Sequence, residues 1–176
     1  MSELTQEYLK ECLNYDIETG VFTWKVRPIN HFKEERYAKM INTKLSEKKA
    51  GSYKNGYIET TLNGKHYLLH RLSWLYVNGI FPKYEIDHIN GILDDNRLCN
   101  LREATKKENQ QNLKTAKKSN LSTGILGVTF NKRTNKFIAQ IYFNYKGFFL
   151  GYFKTAEEAH HAYLTAKREL HPFGTL

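Results

Sequence analysis

A carboxylate and an imidazole stand side by side at Asp87 and His88, in the stretch Asp87-His88-Ile89-Asn90-Gly91. A carboxylate oxygen is a hard ligand of the kind that Mg²⁺ prefers, and a neutral imidazole accepts a proton near neutral pH. Asn109 follows on a predicted helix and offers an amide oxygen that can complete a metal site. A one-metal phosphodiester hydrolase needs one divalent cation and one proton acceptor. These residues therefore predict a metal-dependent phosphodiester hydrolase.

In this hypothesis Asp87 and Asn109 bind one Mg²⁺ or Mn²⁺ ion per active site, and His88 accepts the proton of the attacking water. No small-molecule cofactor is expected. Asp94 and Asp95 are alternative carboxylates for the ion, but they lie in a loop rich in turn-forming residues, where solvated side chains are typical. An incidental Asp-His pair on a surface loop is the alternative interpretation of the whole motif.

Local signals predict the elements that position these residues. A strand over 86–89 contains the Asp-His pair, and a helix over 104–112 begins with a capping box of Thr105 and Glu108. Upstream, a helix is predicted from Thr5 to Tyr15 and a strand from Gly20 to Trp24. The stretch over 28–50 is expected to be a loop with at most a short helix. A hairpin is predicted to turn at Asn63-Gly64, and a helix from His70 to Asn78 is predicted to stop at Gly79. His70 is expected to cap its helix, with a DNA contact as the alternative.

The intervals from His88 to Asn100 and Asn109, with Arg102 closely following Asn100, resemble the HNH endonuclease family in its phage and intron homing branch. The resemblance implies a strand ending in Asp-His, a loop, a second strand and a short helix around one divalent cation. It also implies that Asn100 locks the loop by hydrogen bonds across the turn. Arg102 is a candidate DNA contact, with an ordinary surface charge as the alternative. We therefore expect an HNH nuclease domain over 1–112.

Positive charge is concentrated in the C-terminal part of the chain, whose net charge is +9. Up to Asn112 there are 17 Lys+Arg and 15 Asp+Glu, whereas from Leu113 onward there are 10 and 3. Clustered cations associate with polyanions because binding releases condensed counterions. The basic stretch over 113–124 lacks periodicity, which is typical of a linker, either simply solvated or in contact with DNA.

Beyond this linker the pattern predicts three strands, over 125–130, 137–143 and 148–153, and a helix that ends at Pro172. The helix begins at Thr155, whose hydroxyl can cap the turn ended by Glu158. This pattern resembles the DNA-binding domain of plant ethylene-response factors, the APETALA family, and the resemblance implies a DNA-binding domain over 125–176. The matching residues are Gly127-Val128, Lys136-Phe137-Ile138-Ala139-Gln140-Ile141, Leu150-Gly151-Tyr152-Phe153, Glu157-Glu158-Ala159 and Ala162-Tyr163. The resemblance implies a sheet in the major groove with the helix behind it. Thr129 and Tyr142 replace Arg residues of the plant domains, so the plant target sequence does not transfer.

We expect double-stranded DNA as the partner of this basic domain. The candidate phosphate contacts are the cations near its two predicted hairpins, namely Lys132, Arg133, Lys136 and Lys146. Gln140 and Tyr142 are the candidates for reading bases if the sheet faces the major groove.

Composition and cysteine content bear on whether the chain belongs to the membrane-spanning, secreted, disulfide-bonded or thiolate-zinc classes of protein. No apolar run approaches the ~20 residues of a membrane span, and the polar N-terminus lacks the apolar core of a signal peptide. Cys12 and Cys99 alone make neither a disulfide framework nor a thiolate zinc site. We expect a monomer in the cytoplasm, of a host cell if the chain is phage-encoded, with no membrane partner.

The predicted fold class is α+β, a ββα-metal HNH core followed by a small three-stranded antiparallel sheet packed on one helix. The predicted function is that of a homing-type, metal-dependent DNA endonuclease that nicks or cuts. The alternative is a non-catalytic, sequence-specific DNA-binding regulator that retains an HNH scaffold.

Overall fold

The computed structural model describes residues 4–116 and 119–175. The chain divides into two compact units, whose boundary in the sequence lies between Ala104 and Thr105. The first unit contains α1 (Gln6–Cys12), β1 (Leu13–Asp16), β2 (Val21–Trp24), α2 (Glu35–Leu45), β3 (Ser52–Lys54), β4 (Tyr57–Leu62), β5 (Lys65–Leu68), α3 (Leu69–Asn78), β6 (Glu85–His88) and β7 (Leu101–Ala104). The second contains α4 (Lys106–Gln111), β8 (Val128–Asn131), β9 (Lys136–Phe143), β10 (Lys146–Phe153) and α5 (Ala156–Leu170). Helices combined with small antiparallel sheets confirm the predicted α+β class.

The N-terminal helix is shorter than predicted, because α1 ends at Cys12 and the chain continues directly into β1. Leu13 of β1 lies opposite Trp24, and Tyr15 lies opposite Phe22. The side chains of Leu13 and Tyr15 are buried and alternate with two exposed side chains, which is the two-residue period of a strand. The helix predicted to continue to Tyr15 is therefore wrong beyond Cys12, since pairing with β2 outweighs the local helical pattern.

The central sheet of the first unit has the antiparallel order β3-β4-β5. Its predicted hairpin is confirmed, because Asn63 and Gly64 adopt positive φ angles of 49° and 73° between β4 and β5. α3 follows and ends at Gly79, as predicted. The stretch over 28–50, expected to be loop with at most a short helix, contains the 11-residue α2. The core of the unit is formed by Leu9, Leu13, Phe22, Leu62, Leu69, Leu72 and Leu75.

The second unit contains a three-stranded antiparallel sheet of order β10-β9-β8 with α5 packed on one face. Val128 and Ala139 of the sheet and Ala159 of α5 form its buried core. The predicted capping box is present, since the Thr155 hydroxyl accepts a hydrogen bond from the Glu158 N–H and the Glu158 carboxylate accepts one from the Thr155 N–H. This arrangement confirms the sheet-on-helix part of the predicted fold class.

Residues at the predicted boundary between the nuclease domain and the linker contact α5 and the segment that follows it. The Leu113 carbonyl accepts a hydrogen bond of 2.6 Å from Lys167 Nζ, and Asn112 Oδ1 accepts one of 2.7 Å from Thr175 Oγ1. These contacts fix residues 112 and 113 within the second unit. Lys117 and Lys118 of the same segment lie outside the described residues. The division into nuclease domain, linker and DNA-binding domain remains a prediction.

Across residues 4–116 and 119–175, none of the helices combines the length and the apolar character that a membrane span requires.

Candidate active site

The Asp-His pair lies at the end of β6, which pairs antiparallel with β7. Asp87 is opposite Arg102 and His88 is opposite Leu101. Both members of the pair are almost completely buried, with exposed fractions of 4% for Asp87 and 3% for His88. Buried ionisable side chains are uncommon and concentrate at functional sites and in paired networks. The hairpin thus holds a carboxylate and an imidazole in fixed positions where the strand enters its loop.

Arg102 is paired with the Asp87 carboxylate. Its Nε and Nη2 atoms lie 2.9 and 2.8 Å from the same oxygen, Oδ2. The guanidinium offsets the desolvation of the buried carboxylate. A metal ion at Asp87 would therefore share this side chain with Arg102. The predicted contact between Arg102 and DNA would have to use the N–H groups that are not turned toward Asp87.

The environment of His88 favours its neutral form. Burial is the largest influence and lowers the pKa of the imidazole, while Asn96 and the carboxylates of Asp87 and Asp95 act in the opposite direction. The net shift of the pKa is downward, so the ring is neutral at pH 7. A neutral imidazole is the form that accepts a proton from water.

A second buried histidine, His70, lies against His88. The two ring centroids are 5.0 Å apart at an interplanar angle of 87°, and the Tyr57 ring is 5.3 Å from that of His70. These three rings form a cluster that restricts the orientation of His88. The expectation that His70 caps α3 is wrong, because the N-cap is Leu68 and no side chain caps the helix. This cluster was not predictable from the sequence, because ring contacts between distant residues have no local signal.

The pKa of His70 gives a pH-dependent prediction. Burial, followed by the influence of His88, lowers this pKa from 6.5 to about 3. The unfolded chain therefore binds a proton between pH 6.5 and 3 that the folded chain does not. Above pH 6.5 this proton does not lower the free energy of unfolding, and the free energy of unfolding decreases as the pH falls below 6.5. Compared with pH 7, the free energy of unfolding at pH 5 should lose about 2 kcal/mol more in the wild type than in His70→Phe.

Urea unfolding followed by tryptophan fluorescence measures this difference, because Trp24 and Trp74 both lie in the first unit. His66→Phe is the matched control, since it changes an exposed imidazole of the same unit. The same pH-dependent loss in wild type and His70→Phe would contradict the assignment.

Asn100 connects the two ends of the loop between β6 and β7. Its Oδ1 accepts a hydrogen bond of 2.9 Å from the Asn90 N–H, and its Nδ2 donates one of 2.9 Å to the Asp95 carbonyl. Its own carbonyl accepts from the Ile89 N–H at 2.9 Å. These bonds hold the residues that immediately follow His88, while a part for Asn100 in catalysis remains a prediction.

The alternative carboxylate Asp95 is engaged within this loop. Arg97 donates to both of its oxygens at 2.8 and 2.6 Å, and Asn90 Nδ2 donates to Oδ2 at 2.7 Å. The hydrogen bond from Arg97 is the main reason why the pKa of Asp95 is lowered to about 2. These contacts describe a residue that organises the loop. Among the described residues, no three His, Cys, Asp or Glu side chains are grouped so as to hold a metal ion.

The chain shares a recognisable segment with known proteins. Residues 67–111 match the HNH endonuclease family. A stretch of 64 residues is 42% identical to Protein 3.8 of Escherichia phage T7, which covers 36% of this chain and 51% of that protein. The chain therefore spans about half the length of this curated relative. No solved structure matches the chain.

The HNH segment contains every residue predicted for the nuclease site, namely Asp87, His88, Asn100, Arg102 and Asn109. Of these, the first four lie on or beside the β6–β7 hairpin. Asn109 lies on α4, which belongs to the second unit. The capping box predicted at the start of α4 is confirmed by reciprocal hydrogen bonds between Thr105 and Glu108. The structure thus places the predicted residues on a hairpin and a following helix.

The donor chemistry of this HNH segment fits Mg²⁺ or Mn²⁺. Mg²⁺ is usually held by one or two carboxylates, several waters and substrate phosphate oxygens. The single carboxylate of Asp87 suits that mode, and Asn109 on α4 remains a predicted ligand. A structural zinc site would need four protein ligands, mostly Cys and His, and the described residues contain no such group.

The second unit contains the candidate DNA contacts other than Arg102. Lys132 and Arg133 lie in the turn between β8 and β9, Lys136 begins β9, and Lys146 begins β10. Gln140 and Tyr142 alternate along β9 with the buried Ala139 and Ile141, so they belong to the sheet face turned away from α5. Phe149 and Tyr152 are exposed on the same face, and no local signal in the sequence marked them as candidate contacts. The HNH match ends at residue 111, and the resemblance to the APETALA family remains a prediction.

Proposed function

We propose that this protein is a metal-dependent endonuclease that hydrolyses phosphodiester bonds of DNA. The observation that carries the proposal is the buried Asp87-His88 pair at the end of β6, within a segment that matches the HNH endonuclease family. The lowered pKa of His88 supports it, because the imidazole is kept in the form that a general base requires.

In the proposed reaction His88 accepts a proton from the water that attacks the scissile phosphorus. Asn100 holds the loop that follows His88, and the Tyr57–His70 rings limit rotation of the imidazole. Mg²⁺ or Mn²⁺, held by Asp87 and Asn109, would supply positive charge for the phosphate oxygens and the leaving 3′ oxygen. Arg102 balances the charge of Asp87.

The further expectations belong to the same proposal. The protein acts as a monomer in the cytoplasm, and its role is of the homing type, with nicking or double-strand cutting as the outcome. Double-stranded DNA is its substrate. The cations of the second unit supply most of the affinity, because 10 Lys+Arg and 3 Asp+Glu follow residue 112.

A non-catalytic DNA-binding regulator is the second candidate function. The pairing of Arg102 with Asp87 favours it, since an internal partner is what a purely structural carboxylate needs. Against it stands the position of the neutral His88 directly beside Asp87, within the segment that matches the HNH endonuclease family.

Incubation of supercoiled plasmid with Mg²⁺ or Mn²⁺ separates the two candidates. Conversion to the open-circular or linear form, abolished by EDTA, is expected for the endonuclease. Intact plasmid at protein concentrations that shift DNA in a gel would support the regulator.

Phosphate binding by the first hairpin of the second unit gives another prediction. Lys132→Ala, Arg133→Ala and Lys136→Ala should each flatten the slope of log affinity against log salt by about 0.9, because one phosphate contact is removed. Cognate and random duplexes should be affected alike, since phosphate contacts carry no sequence information.

Affinity measured at several salt concentrations tests this effect. Lys39→Ala is the matched control, since Lys39 is an exposed cation of the first unit. An unchanged slope in all three hairpin variants would remove this hairpin from the DNA interface.

A further inference from the structure

The sheet of the second unit exposes aromatic rings on its outer face, defined as the face turned away from α5. Tyr142 of β9 is 65% exposed, and Phe149 and Tyr152 of β10 are 59% and 48% exposed. On the same face, Gln140 of β9 pairs with Phe149, and Ile138 pairs with Tyr152. Exposed apolar patches of this kind usually mark a surface that binds a partner or a ligand.

A β-bulge places two of these rings together. Phe149 pairs with Gln140, but the register then shifts, so that Gly151 pairs with Ala139 and Tyr152 with Ile138. In a regular strand, residues three apart point to opposite faces. The bulge instead puts Phe149 and Tyr152 on the outer face with their ring centroids 5.1 Å apart. Bulges commonly redirect side chains beside functional sites.

Two glycines of β10 make this arrangement of rings on the outer face possible. Gly151 adopts a φ of +140° in the bulge, a conformation that is strained for residues with a side chain. Gly147 lies opposite Tyr142, and a Cβ atom there would be 3.1 Å from the tyrosine ring. The Tyr142 ring therefore lies over the backbone of β10, with its remaining surface in solvent.

The charge around the outer face suits a polyanion. Between Glu108 and Glu157 the sequence contains eight Lys and Arg residues and no Asp or Glu. Lys136 shares the outer face with Ile138 and Gln140 at one end of β9, beside the hairpin that carries Lys132 and Arg133. A second copy of this face would bring like charges together, which is unfavourable. Aromatic rings flanked by cations are the combination that holds unpaired bases and their phosphates.

We propose that the outer face binds single-stranded DNA, with bases stacked on Tyr142, Phe149 and Tyr152 and phosphates held by the flanking lysines and arginine. Three rings can accommodate two or three bases. Bases within a duplex are already stacked on each other, so a flat ring on a sheet cannot reach their faces. The proposal depends on the proposed endonuclease function only for the choice of DNA, and a strand separated near the cleavage site would be its ligand.

Fluorescence anisotropy of the full chain in EDTA tests the proposal without any nuclease activity. The probes are a labelled mixed-sequence single strand of about 16 nucleotides, its duplex, a strand of the same length with abasic spacers, and an RNA of the same sequence. The single DNA strand should bind more tightly than the duplex and the abasic strand.

Two substitutions of Phe149 separate stacking from general apolar contact. Phe149→Leu should weaken single-strand binding about 5- to 150-fold, with little effect on the duplex, whereas Phe149→Trp should retain affinity. Because both variants keep a large apolar side chain, a folding defect would appear in both. Tyr53→Leu is the matched control, since Tyr53 is also 65% exposed but lies on β3 in the first unit.

Equal loss of single-strand and duplex binding in Phe149→Leu would overturn the proposal, as would an abasic strand that binds as tightly as the normal one. Tighter binding of the RNA would overturn the choice of DNA. Plasmid cleavage is scored separately, so failure of the binding test leaves the proposed endonuclease function standing, and absence of cleavage leaves the binding result interpretable.

Discussion

Replacement of His88 by alanine should lower the rate of DNA cleavage by about 10²–10⁴-fold, the usual loss when a general base is removed. DNA affinity in EDTA should not change, because His88 is buried in the first unit and makes no contribution to the cationic surface of the second. Single-turnover nicking of supercoiled plasmid at saturating metal measures the rate.

The alanine variant also removes a buried ring, so a second variant is needed. His88→Gln retains size and hydrogen-bonding capacity but cannot take up a proton at neutral pH. It should lose cleavage to a similar extent, whereas the control His66→Ala, at an exposed site in β5, should cut normally. Near-normal cutting by either His88 variant would remove this imidazole from the mechanism.

The second large effect is expected at Asp87. Asp87→Asn keeps the shape of the side chain but loses the charge that would hold the metal ion. Changing residues that only support a metal ligand typically costs 10–100-fold in metal affinity, so loss of the ligand itself should raise the Mg²⁺ or Mn²⁺ concentration for half-maximal nicking by at least about 100-fold. Titration of both metals against nicking rate measures this response.

Arg102 provides the comparison for this test. Arg102→Gln removes the two charged hydrogen bonds to Asp87 Oδ2 but leaves the carboxylate in place. If Asp87 binds the ion, Arg102→Gln should remain active and metal-dependent. Asp87→Asn and Asn109→Ala should need a higher metal concentration for half-maximal nicking. An unchanged metal response in both Asp87→Asn and Asn109→Ala would move the ion elsewhere, with Asp94 and Asp95 as the next candidates.

The sequence determined the features that depend on neighbouring residues. The hairpin turn at Asn63-Gly64 and the capping boxes beginning at Thr105 and Thr155 were predictable, because each signal lies within a few residues and acts through backbone dihedrals or first-turn hydrogen bonds. The HNH segment was also predictable, since residues 67–111 match that family, while the roles of its individual residues stay predictions. The α+β class followed from these local elements.

Tertiary structure decided what depends on contacts between distant residues. Pairing with β2 ended α1 at Cys12, although the helical pattern continued to Tyr15. Folding placed His70 against His88, and Arg102 on Asp87. Periodicity along one segment does not specify such cross-strand and ring contacts, because burial depends on which other segment covers the side chain.

The outer face of the second unit shows the same limit most clearly. The sequence displays Phe149 and Tyr152 three residues apart, which in an uninterrupted strand assigns them to opposite faces. The bulge before Gly151 brings both rings to one face and turns Leu150 toward the core. The sequence therefore predicted that β10 is a strand, whereas only the pairing register with β9 decided which of its side chains are exposed to solvent.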